Sequence, residues 1–90
     1  MIRTSDMYLA ALLWAYNIPL KKVNKQDPRR QVFEFEGLPS SVFILEDDQI
    51  ASVPVSGIEN LKVWMLGEKL MFPPRFIVGL RTIKSLLHDE

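Results

Sequence analysis

A chain of 90 residues has room for one hydrophobic core, and its 48% hydrophobic and 24% charged residues exclude a disordered composition. The absence of cysteine excludes disulfides, thiolate catalysis and thiolate metal sites together. A formal net charge of zero gives no global attraction to nucleic acid or membrane, so any such signal must be local.

Thr4, Ser5 and Asp6 offer side-chain oxygens to the free amides of a helix start, and Asp6 suits the positive end of the helix dipole. Every residue from Met7 to Tyr16 is apolar. Asn17, tolerant of left-handed backbone, and then Ile18-Pro19 end the helix. The apolar run is shorter than the ~20 residues of a membrane span, and Asp6 stands where a signal peptide carries positive charge. The cysteine-free chain is therefore expected in the cytoplasm, off the membrane. A helix apolar on all faces needs cover on all faces, either from its own domain or from a second copy of it.

Ile18 to Val23 and Gln31 to Glu36 read as strands, the second placing Phe33 and Phe35 on one face. The polar stretch Asn24 to Arg30, with Asp27-Pro28, is their hairpin loop. After Gly37 to Ser41 breaks the pattern, Val42 to Leu45 and Ile50 to Val53 flank the turn-like Glu46-Asp47-Asp48-Gln49. This predicts a smaller second hairpin, either separate or extending the first into one antiparallel sheet. Ile58, Leu61 and Met65 recur at helical spacing until Gly67, which supplies the stop. Pro73-Pro74 suits the first turn of a last helix, whose apolar stripe is Phe76, Leu80, Ile83 and Leu87 with Ile77 beside it. Arg75, Arg81 and Lys84 fall outside that stripe, and Lys84 and His88 suit its negative C-terminal end. The fold expected over residues 1–90 is a single α+β domain: N-terminal helix, hairpin or hairpins, short helix, and a long C-terminal helix packed on the sheet.

The sharpest polar feature is the basic hairpin, where Lys21, Lys22, Lys25, Arg29 and Arg30 are opposed nearby only by Asp27. Such cations can position a phosphate backbone, with Phe33 or Phe35 stacking a base; the competing reading is a solvated hairpin tip. Glu46, Asp47 and Asp48 have oxygens for a hard cation but lack the alternation, central glycine and distant glutamate of a calcium loop, so a plain acidic turn is expected. His88 is the only histidine, and no serine has glycine-flanked nucleophile spacing, so no catalytic, cofactor or metal residues are expected. Trp14, Tyr16, Trp64 and Phe72 are read as core or interface in preference to pocket lining.

Two blocks carry a resemblance: Thr4-Ser5-Asp6-Met7-Tyr8-Leu9-Ala10-Ala11 with Val32-Phe33-Glu34-Phe35-Glu36, and Gly67-Glu68-Lys69-Leu70-Met71-Phe72-Pro73-Pro74-Arg75-Phe76 with Lys84-Ser85-Leu86-Leu87. In them the chain resembles DUF5659, a family of short prokaryotic proteins of unknown function. Asn17 stands where that pattern has glycine, and residues 38–55 are longer than its counterpart. The resemblance implies a prokaryotic α+β domain and brings no activity, cofactor or site residue. The leading expectation is a non-enzymatic interaction module that pairs with a second copy or another protein through Met7, Tyr8, Ala11 and Trp14 of the apolar helix. The alternative is a nucleic-acid accessory protein that uses the basic hairpin.

Overall fold

The computed structural model describes residues 1–27 and 29–88, with His88 described in its backbone only. Pro28 of the hairpin loop and the side chain of His88 therefore lie outside the described residues. Asp6 starts the first helix, α1 (Met7–Ala15), as its chemistry suggests: its Oδ1 accepts from the amides of Tyr8 at 2.9 Å and Leu9 at 3.2 Å. At the other end Asn17 takes φ = 66°, and the amides of Asn17 and Ile18 donate to the carbonyls of Trp14 and Leu13 at 3.0 and 3.1 Å. In this Schellman arrangement one left-handed residue turns the chain out of the helix while two terminal carbonyls stay bonded. Because α1 is apolar all round, it runs through the middle of the molecule, and Leu9 to Leu13 are all inaccessible to solvent.

Ahead of α1 lies a strand with no counterpart in the sequence reading, β1 (Ile2–Thr4). It flanks one side of β3 (Val32–Phe35), and β2 (Leu20–Asn24) flanks the other, giving an antiparallel sheet of order β1-β3-β2. Strand β2 starts after Ile18 because the Ile18 amide is still engaged in closing α1. Phe33 and Phe35 enter the core as their alternation requires, and Glu34 faces the other way, opposite Arg3 on one side and Lys22 on the other.

The second hairpin, β4 (Ser41–Glu46) with β5 (Gln49–Pro54), forms its own two-stranded sheet and does not extend the first. The outer edge of β4 is already taken. Leu45 donates its amide to the Lys69 carbonyl at 2.7 Å, Met71 donates to the Phe43 carbonyl at 2.9 Å, and Leu70 bridges Ile44. Asp47 at φ = 52° and Asp48 at φ = 62° close the hairpin with a two-residue loop, and two residues of left-handed backbone give a turn that matches the right-handed twist of the strands.

In α2 (Ile58–Leu66) the Asn60 side chain accepts from the amides of Ser56 at 2.8 Å and Gly57 at 3.2 Å, satisfying donors at the helix start. Its C-terminus repeats the Schellman arrangement, but Gly67, expected to supply the stop, has φ = −80°, and the left-handed residue is Glu68 at φ = 58°. The amides of Glu68 and Lys69 bond the carbonyls of Met65 at 3.1 Å and Trp64 at 3.0 Å. The last helix, α3 (Phe76–His88), begins just after the proline pair instead of at it, because the Phe76 amide bonds the Pro73 carbonyl at 2.9 Å in a lead-in turn. Its stripe turns inward with Ile83 fully buried, whereas Ile77 is 57% exposed. Helix α3 lies along α1, where a Cβ on Gly79 would stand 2.8 Å from the Ala11 carbonyl oxygen, and its Leu87 reaches the sheet in a cleft shared with Gln31 and Phe33. The architecture is α+β, with two antiparallel sheets and the flanking helices sharing one core around α1. Among the described residues no helix is long and apolar enough to cross a membrane.

Candidate interaction surface and arginine-lined cleft

The all-apolar character of α1 is absorbed largely within the chain. Ala11 is fully buried under Gly79, and Met7 and Trp14 are half-buried. Trp14 packs beside Gly79, and the Arg75 guanidinium lies 4.5 Å from its ring centroid while also donating to Asn17 Oδ1. Of the four residues expected to form a self-association face, Tyr8 alone is freely exposed, so they do not make one surface.

The apolar surface that does reach solvent is on the second hairpin. Val42 and Ile44 point into the core, so Phe43 and Leu45 point outward, where the strand register sets them opposite Ser52 and Ile50. Phe43 is 52% exposed and Ile50 62%. Both line a shallow apolar groove of about 480 Å³ with Tyr16, Phe72, Pro73 and Pro74, and the Phe72 ring packs on Phe76 at 4.5 Å. Burial in this region pushes the Tyr16 phenol above its ordinary pKa of 10.0, and a hydrogen bond with the Phe43 main chain opposes that shift. The bonds from Phe43 and Leu45 to residues 69–71 also orient the ladder: their partners Ser52 and Ile50 direct their own main-chain groups away from β4, to an outer edge that Pro54 terminates.

The basic hairpin does not present its five cations as one field. Lys21 Nζ lies 3.7 Å from Glu36, Lys22 stands opposite Glu34, and Lys25 is exposed on the loop. Asp27 organises the turn by accepting the Arg29 amide at 2.9 Å on Oδ1 and the Arg30 amide at 3.1 Å on its carbonyl. Among the described residues neither the Arg29 nor the Arg30 guanidinium has an ion pair. Both line clefts at the N-terminal end of α1. Arg75 sits at the opposite end of that helix, so it does not continue the patch.

On the Arg30 side, the space between the start of α1 and α2 is a cleft of about 580 Å³. Arg3, Arg30 and Lys62 all line it, together with Tyr8 and Leu66. Arg3 is held through Nε by Glu34 at 3.5 Å, and Lys62 is 3.7 Å from Glu59 on its own helix. Arg3 and Lys62 carry no signal in the sequence, because each is the one cation of its segment and only the folded chain places them at one cleft. The acidic turn is open at Asp47 and Asp48, with Glu46 3.8 Å from Lys69; among the described residues no three His, Asp or Glu side chains converge as metal ligands. No protein-family model, curated protein or solved structure matches the chain.

Proposed function

We propose that the chain is a non-enzymatic interaction module that self-associates, with its contact surface on the second hairpin in place of α1. The observation that carries this reading is the outward face of Phe43, Leu45 and Ile50, which continues into Phe72, itself 46% exposed. Contiguous apolar surface of this kind marks interfaces in soluble proteins. The outer edge of β5 adds self-complementarity. Two copies paired antiparallel about Ala51 set Ile50 of each against Ser52 of the other, and the same edge groups serve as donors and acceptors on both sides. The resulting sheet has four strands and gathers both sets of outward apolar side chains on one face. We place the module in the cytoplasm of a prokaryote, on its cysteine-free composition and the two DUF5659-like blocks.

Native mass spectrometry and sedimentation at about 100 μM test the reading, since a functional homodimer of even modest affinity populates at that concentration. A dimer is expected, and Ile50→Lys, at a site exposed in the single chain, is expected to give a monomer with an unchanged circular dichroism spectrum. A monomeric wild type, or an Ile50→Lys variant that stays dimeric, rejects it. The alternative, in which the hairpin residues Lys21, Lys22, Lys25, Arg29 and Arg30 grip a nucleic-acid backbone, has less support, because Lys21 and Lys22 stand beside Glu36 and Glu34.

A further inference from the structure

We propose that the cleft between the start of α1 and α2 binds a phosphomonoester that carries a planar ring, of which a nucleoside monophosphate is the simplest example. Three cations from three separate elements line it: Arg3 from β1, Arg30 from the hairpin and Lys62 from α2. A dianionic phosphate suits this arrangement for two reasons. The Arg30 guanidinium has no carboxylate partner among the described residues, and Arg3 is tied to Glu34 through Nε, which leaves the outer nitrogens of its fork available. The one carboxylate in the lining, Asp6, is turned toward the amides of Tyr8 and Leu9, which it caps. Ser5, exposed at the same rim, adds a hydroxyl donor.

The ring half of the ligand follows from the apolar part of the lining. Tyr8 is 53% exposed and Leu66 86% exposed, and both border the cleft with the half-buried Met65. An exposed phenol face beside apolar side chains is a stacking platform for a flat heterocycle and has no use for a bare inorganic anion. The cleft volume, about 580 Å³, lies within the range of small-molecule sites. This inference is independent of the self-association surface, which involves none of these residues.

The test is an amide chemical-shift titration of the full chain with adenosine monophosphate, adenosine and inorganic phosphate, each to about 10 mM, a range that resolves millimolar affinities. Saturable shifts with the monophosphate are expected at residues 5–8, at Arg30 and along 62–66, with weaker binding of phosphate and none of adenosine. Arg30→Glu is expected to weaken binding at least tenfold and Lys62→Glu severalfold, while Tyr8→Ala brings the monophosphate down to the affinity of phosphate. Both charge reversals are at exposed positions, and a retained amide fingerprint shows that each variant is folded. A 5′-phosphorylated dinucleotide run in parallel tells a free nucleotide from the end of a strand by which of the two binds more tightly. Absence of saturable binding, shifts confined to other parts of the chain, or undiminished affinity in both Arg30→Glu and Lys62→Glu would overturn the proposal.

Discussion

Two residues in the turns and helices carry conformational cost that a single substitution can expose. Glu68 holds a left-handed backbone, at φ = 58°, that costs a residue with a Cβ about 1 kcal/mol and costs glycine almost nothing. Its amide remains bonded to Met65 whatever the side chain, so Glu68→Gly is expected to stabilise by roughly 0.5–1 kcal/mol in urea unfolding. A destabilised variant would mean that the side chain makes a contact outweighing the strain. Gly79 is the reverse case. Alanine favours a helix interior by about 1 kcal/mol, yet a methyl group here stands 2.8 Å from the Ala11 carbonyl oxygen and 3.0 Å from the Trp14 ring. Backbone cannot yield as a flexible side chain does, so Gly79→Ala is expected to lose about 1–3 kcal/mol from forced separation of α1 and α3. Tyr16 adds a pH-dependent term. Its folded pKa is raised above 10.0, so its stabilising contribution is complete below about pH 10 and is lost as pH rises through the folded value. The stability of wild type relative to Tyr16→Phe, followed by denaturant titration, should therefore fall above about pH 10.

At the scale of elements, the parts legible in the sequence are those with a local cause. Asp6 and Asn17 bound α1 because a capping carboxylate and a left-handed asparagine act on their own neighbours, and Phe33 and Phe35 turn inward because a strand alternates. The missed features depend on distant segments. Strand β1 is three residues whose pairing is supplied by β3, and the second hairpin stays separate because residues 69–71 occupy its edge. The same reason explains the sites: Arg3 and Lys62 join Arg30 only across the fold, and α1 reads as a sticky surface until Gly79 admits it against α3. The edge contact is itself testable. Met71→Pro removes the donor to the Phe43 carbonyl and is expected to cost about 1–3 kcal/mol. Hydrogen exchange should then show the Leu45 amide losing protection relative to the β3 amides; equal protection in the variant would mean that residues 69–71 do not hold the hairpin in place.

At the scale of the molecule, both sheets and α1, α2 and α3 contribute to one cluster, from Leu9 and Leu12 through Phe35 and Ile44 to Leu61 and Ile83. With no second core among the described residues, unfolding is expected to be all-or-none, with far-ultraviolet circular dichroism and tryptophan fluorescence melting together. In a domain of this size a change of 1 kcal/mol moves Tm by about 4–8 °C, so the effects of Gly79→Ala and Glu68→Gly are resolvable as opposite shifts. The proposed self-association through β5 would tie this transition to concentration, because a partner that binds only the folded chain draws the equilibrium toward it. The wild-type Tm should therefore rise with protein concentration, and Ile50→Lys, which leaves the core untouched, should abolish the rise without splitting the transition. A Tm equally independent of concentration in both proteins would leave the cooperative core intact and remove the second copy from the account of the hairpin face.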